Sequence, residues 1–236
     1  MPNNAARFIA AYNKIDKALR NLNNFKANMT FTDVVRKSAA GSFAVRKYED
    51  ELLDYSRLRN AIVHNANDKI VIAEPHADIT EHIERIAGLL CAPPPAVKYA
   101  RRAVTVSADK PLADVIKLMA ASGYSNVPVL NDHGVIGVIN NKLIVETLAR
   151  LLGGRPDGAL EQSLYSLNAA SALTAYSEHY ILADRRLTVD KALCAFADRP
   201  KLQIIVITAS GSPDSGVEGI LTTGDIMALN RIMENY

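Results

Sequence analysis

The sequence predicts an α+β protein in which an N-terminal α-helical bundle precedes a doubled β-α-β-β-α unit. Two observations carry that expectation. Through about residue 90, apolar residues recur at helical spacing with few breakers. Beyond Pro93-Pro94-Pro95, short β-rich runs alternate with helical ones, and the alternation occurs twice. At 236 residues, 49% hydrophobic and 22% charged, the chain has room for two small domains and the composition of an ordinary soluble globular protein.

The first helix is read from Phe8, Tyr12, Ile15, Leu19 and Leu22, which step by four and three and make one stripe. After the Asn-rich NLNNFKANMT, Phe31, Val34 and Val35 mark a short second helix that stops near AAGS. A longer third helix carries Val45, Tyr48, Leu52, Tyr55, position 59 and Ile62, and Asn65-Ala66-Asn67-Asp68 supplies its stop signal. A last helix from about Asp78 carries Ile79, Ile83, Ile86 and Leu90. The three prolines remove backbone donors and favour extended chain, which predicts a semi-rigid linker.

In the first copy of the repeat, AVTVS leads to PLADVIKLMAASG, NVPVLN, VIGVIN and a helix through Leu152. In the second, YILAD leads to LTVDKALCAFAD, QIIVIT, VEGILTT and DIMALNRIM. Leu187 follows Leu112 by 75 residues and Gly219 follows Gly137 by 82, so the second copy holds seven more residues, in the loop TASGSPDSGVEG. Between the copies, GGRPDG breaks the chain, and LEQSLYSLNAASALTAY suggests an additional helix.

A formal charge of +2 implies nothing about a nucleic-acid or membrane partner for the chain as a whole. The distribution is uneven: the first 70 residues hold 12 Lys and Arg against 7 Asp and Glu. Cys91 and Cys194 stand far apart and in no CxxC pair, so neither a disulfide framework nor a metal site is expected. The first residues lack a basic leader before an apolar run, and no stretch of about 18 apolar residues occurs, so a cytoplasmic protein is expected.

The first candidate site is Gly219-Ile220-Leu221-Thr222-Thr223-Gly224-Asp225. A strand ending in a hydroxyl residue at a helix start offers free N–H groups to a phosphate, which makes Thr222 the phosphate candidate. The two acceptor oxygens of Asp225 suit a ribose diol. Thr followed three residues later by Asp is also an ordinary helix start. The first copy reads Gly137-Val138-Ile139-Asn140-Asn141-Lys142-Leu143, where Asn140 can cap a helix but Leu143 cannot hold a ribose. One site at most is expected. The repeat and this motif resemble the tandem CBS domain, or Bateman module, across residues 98 to 236. The resemblance implies regulatory binding of an adenine nucleotide (AMP, ADP or ATP), with Gly219, Thr222 and Asp225 from the second copy and Val104, Tyr124 and Ser125 from the first. Tyr124 can equally cover the core.

The second candidate is Arg59-Asn60-Ala61-Ile62-Val63-His64-Asn65, where the stripe expects an apolar residue at 59 and meets Arg59. On a regular helix Arg59 and His64 lie about 140° apart, while Asn60 and His64 share a face. One reading is structural: His64 favoured by the helix C-terminus and Arg59 paired with Glu51 or Asp54. The other follows from the residues' resemblance, over about residues 5 to 90, to HEPN domains, whose signature is Arg, a polar residue, three residues and His. Many of those are metal-independent ribonucleases built from two such motifs across a dimer. By that resemblance His64 is the general acid or base, Arg59 stabilises phosphorane charge and Asn60 orients the ligand or the histidine.

The expected organisation is therefore a HEPN-like helical domain over residues 1–92, a linker over 93–97, and CBS motifs over 98–155 and 156–236. The expected function is a homodimeric, nucleotide-responsive sensor whose helical domain cleaves or binds RNA. The alternative is a non-catalytic sensor or scaffold whose helices only dimerise or dock a partner protein.

Overall fold

The computed structural model describes residues 4–63, 74–153, 160–173 and 178–235. The helical part runs α1 (Asn4–Asn23), α2 (Phe31–Ala39), α3 (Phe43–Lys47), α4 (Glu49–Val63) and α5 (Ala77–Cys91). The first copy follows as β1 (Val106–Ser107), α6 (Leu112–Ser122), β2 (Asn126–Asn131), β3 (Gly134–Asn140) and α7 (Asn141–Leu152). After α8 (Leu160–Ser166), the second copy is β4 (Tyr180–Ala183), α9 (Val189–Asp198), β5 (Ile204–Thr208), β6 (Val217–Thr222) and α10 (Ile226–Asn235).

Two compact units result. One joins Met1–Pro94 with Thr188–Ala197 and Met227–Tyr236, so nearly all of α9 and of α10 pack with the N-terminal helices. In it α1 buries Phe8, Tyr12, Ile15 and Leu19, and Phe8 meets Tyr55 edge to face at 5.6 Å. Leu22, expected on the same stripe, is exposed because the helix ends at Asn23 and the chain turns away through Asn24 at φ 51°. Ile79, in the first turn of α5, is also partly exposed, whereas Ile83, Ile86 and Leu90 are buried. The single third helix expected from the stripe is two helices, broken at Tyr48 (φ −107°, ψ 23°). The physical reason is charge. Arg46 and Lys47 close α3 and Glu49, Asp50 and Glu51 open α4, each where a helix dipole favours that sign. The apolar stripe survives the break, since Val45, Leu52, Tyr55 and Ile62 are all buried. On α9, the buried Asp190 carboxylate accepts from Ala44 N–H at 2.7 Å and from the Ser42 hydroxyl at 3.2 Å, fixing the start of α3.

The other unit holds Pro95–Leu187 and Asp198–Ile226. Each copy contributes a three-stranded sheet of the same plan, a parallel pair followed by an antiparallel pair: β1-β2-β3 and β4-β5-β6. Even the irregularities repeat, with register shifts at Val129/Leu130 and Ile207/Thr208. The first sheet packs on α6 through Val106, Val115, Met119, Val127, Val129 and Ile139. The expected additional helix is α8 followed by a 3-10 turn, Ala169–Ala172. A matching 3-10 turn, Ala96–Tyr99, opens the first copy. Each leading segment lies against the other copy's sheet. Ala169 and Ala172 are buried in the first copy's core, and Arg101 bridges Ile220 of the second. Just after the proline run, Ala96 N–H donates to Leu187 O at 2.7 Å.

Candidate functional site

The exchange of leading segments builds the site. Arg101 N–H donates to Ile220 O at 3.0 Å and Ile220 N–H returns the bond at 2.9 Å, so the chain before β1 adds to β6. Such a close approach explains Gly219: a Cβ there would stand 2.8 Å from the Ala100 Cβ and 3.2 Å from the Arg101 carbonyl oxygen. The strand ends at Thr222 (φ −123°, ψ 168°), and the 3-10 turn Thr223–Asp225 follows. Asp225 Oδ2 then accepts from Thr222 N–H at 2.8 Å and from the Thr222 hydroxyl at 2.9 Å.

Arg101 completes the cluster. Its Nη2 donates to Thr222 Oγ1 at 3.0 Å and lies 3.0 Å and 2.9 Å from the two Asp225 oxygens. The Arg101 side chain is 59% exposed and that of Asp225 17%. A hydroxyl, a carboxylate and a guanidinium thus converge at one half-open turn. The sequence reading named Gly219, Thr222 and Asp225 and missed Arg101. Its signal was its place, three residues before Val104 in the segment that leads the first copy.

Among the described residues, no hydrogen bond joins Val104, Tyr124 or Ser125 to Thr222 or Asp225. Val104 is half-buried, Tyr124 is 40% exposed, and the Ser125 carbonyl accepts from Asn141 N–H at 3.3 Å.

The first copy's turn is closed. Asn140 is buried, caps α7 by accepting from Leu143 N–H at 2.9 Å, and donates to Gln203 Oε1 at 3.1 Å. Leu143 is buried as well.

A cleft of about 480 Å³ is lined by Glu178, Tyr180, Ile181, Arg199, Pro200 and Lys201. The 75-residue repeat offset maps Tyr124 and Ser125 onto Arg199 and Pro200, so applying it to the sequence would have found this wall. Burial pushes the Tyr180 phenol up. A hydrogen bond between Lys201 and Glu178 holds the ammonium up and the carboxylate down.

In the helical unit, Arg59 and Asn60 occupy the last turns of α4, and His64 lies outside the described residues. Arg59 Nη1 donates to Asn60 Oδ1 at 3.3 Å, and the guanidinium carbon stands 5.9 Å from the Tyr12 ring centre. The expected pairing of Arg59 with Glu51 or Asp54 is not made: Asp54 binds Arg57 at 2.6 Å, one helical turn away. Arg59 Nε is buried without a hydrogen-bond partner among the described residues. A buried donor left unmet is costly and uncommon.

Residues 97–150 match the family model of the CBS domain. The match covers the first copy, whose strand order the second repeats. No curated protein matches the chain. Similar solved structures include CBSX2 in complex with AMP, at 14% identity and TM-score 0.46, covering 60% of this chain and 98% of that one. Another is a CBS domain-containing protein of unknown function from Kribbella flavida, at 13% identity and TM-score 0.48, covering 58% and 99%. A third is the CBS domain of the bacterial CNNM/CorC family Mg2+ transporter in complex with ATP, at 17% identity and TM-score 0.43, covering 63% and 96%. Among the described residues no group of His, Cys, Asp and Glu is arranged to hold a metal ion, and no helix is long and apolar enough to cross a membrane.

Proposed function

We propose that the chain is an adenine-nucleotide-responsive CBS regulatory protein whose nucleotide sits at the second copy's turn. The observation that carries this reading is the convergence of Thr222, Asp225 and Arg101. Asp225 takes the ribose diol, Thr222, whose hydroxyl donates to Asp225 in the free protein, turns that hydroxyl to the phosphate, and Gly219 admits the Arg101 segment that completes the wall. AMP and ATP are the ligands of two of the similar solved structures, which makes them the first probes here. Calorimetric titration with AMP, ADP, ATP and GMP tests the reading. Saturable binding of at least one adenine nucleotide, tighter than GMP, is expected, and no heat from any of them at millimolar concentration contradicts it.

The helical unit has a reading of its own, favoured by Arg59 Nε, which is buried with no hydrogen-bond partner among the described residues. A cation with a buried, unmet donor at the end of α4 suits an oxyanion. In a HEPN-like homodimer Arg59 stabilises the charge on a scissile phosphate, Asn60 orients it or the histidine, and His64 moves the proton without a metal. The basic excess of the first 70 residues follows an RNA backbone. Incubating mixed-sequence RNA with the protein in EDTA, beside His64→Ala, separates this from a helical unit that only dimerises or docks a partner. Cleavage lost in the variant supports the ribonuclease. Equal or absent cleavage leaves the non-catalytic sensor, which acts in the cytoplasm through a protein partner.

A further inference from the structure

We infer that Arg101 sets the ligand selectivity of the Thr222–Asp225 turn, admitting a nucleoside that carries phosphate and refusing the nucleoside alone. The inference rests on the nucleotide reading of that site. Its basis is an occupancy conflict visible in the hydrogen bonds. Asp225 Oδ2 already receives Thr222 N–H, the Thr222 hydroxyl and Arg101 Nη2, and Oδ1 faces Arg101 at 2.9 Å. A ribose diol that binds both carboxylate oxygens must therefore displace the guanidinium. The Thr222 hydroxyl is engaged in the same way, giving its proton to Asp225 and accepting from Arg101.

Displacement does not remove Arg101 from the site. Its backbone is held in both directions by Ile220, at 3.0 Å and 2.9 Å, and Gly219 leaves the space that this pairing needs. The 59% exposed side chain pivots from that fixed point. A phosphate on the ribose gives the released guanidinium a bidentate partner at least as good as the carboxylate it lost. Adenosine offers none, so its binding breaks an ion pair and restores nothing. Arg101 acts as a latch on Asp225 in the free protein and as a phosphate clamp in the bound one.

Titration of adenosine and AMP into wild type, Arg101→Met and Arg101→Lys tests this. Methionine keeps much of the length without charge, and the exposed position keeps the fold intact, which thermal unfolding of the variant checks directly. In Arg101→Met, AMP weakens about tenfold or more and adenosine tightens about threefold, so the preference for the phosphorylated ligand collapses. Arg101→Lys, a point charge without the fork, falls between. Equal loss of both ligands in Arg101→Met, or no change in either, overturns the inference while leaving the nucleotide site standing. Failure of AMP to bind even the wild type overturns the nucleotide reading and the selectivity with it.

Discussion

The turn after β3 and the turn after β6 have the same backbone and opposite chemistry. Asn140 sits at φ −130°, ψ 169° and Thr222 at φ −123°, ψ 168°. In the first, Asn140 and Leu143 are buried, and the Asn amide spends its hydrogen bonds on Leu143 N–H and Gln203. In the second, the Thr hydroxyl and Asp carboxylate stay at a half-open surface and meet a third polar group, Arg101. The frame occurs twice and both turns start a helix, but two side chains decide whether the turn is closed by buried groups or left half-open with a hydroxyl and a carboxylate.

The largest expected effect comes from forcing the first turn to resemble the second. Leu143→Asp places a carboxylate in a position only 7% exposed, beside a cap that already uses its N–H, and destabilises the protein by about 3 kcal/mol or more in urea unfolding. A loss near zero would show that the closed turn tolerates the binding motif.

The glycines sharpen the contrast. At Gly219 a Cβ meets the Ala100 Cβ and the Arg101 backbone, so Gly219→Ala costs about 1–3 kcal/mol and displaces Arg101. At Gly137 it meets the tips of the Leu173 side chain at 2.8 and 2.9 Å, which can rotate, so Gly137→Ala costs about 1 kcal/mol or less. Chemical denaturation of the two variants orders them, and the reverse order contradicts the exchange of rigid leading segments.

The two caps differ in the same sense: Asn140→Ala, whose amide is buried, costs about 2 kcal/mol, against about 1 kcal/mol for Thr222→Ala, which removes a hydroxyl from a helix start. Smallest is Arg101→Met. An ion pair with a 59% exposed cation contributes under about 1 kcal/mol, so thermal stability barely moves while ligand selectivity changes. A large stability loss would make Arg101 a structural strut.

Much of this fold was legible. Periodicity gave α1, α2 and α5 most of their buried faces, and the repeat gave the succession of strands and helices in each copy, though not the pairing of the strands. The stripe did not reveal the break at Tyr48, because apolar spacing continues across it and only the switch from Arg46-Lys47 to Glu49-Asp50-Glu51 marks the two dipoles. Of the site, Gly219, Thr222 and Asp225 were readable as a linear motif. Arg101 was not, since it arrives 121 residues away from Thr222 along the chain through a segment exchange that no local pattern encodes. The grouping of α9 and α10 with the N-terminal helices is equally non-local, visible only once Asp190 is seen capping α3.

The most direct test of the asymmetry between the two turns is calorimetric titration of AMP into wild type and Asp225→Asn, a substitution that keeps shape and removes charge. One nucleotide per chain in the wild type, weakened about tenfold or more by Asp225→Asn, is the expected result. Undiminished binding in Asp225→Asn would contradict it and move the ligand away from the second turn, toward the cleft walled by Tyr180, Arg199 and Lys201.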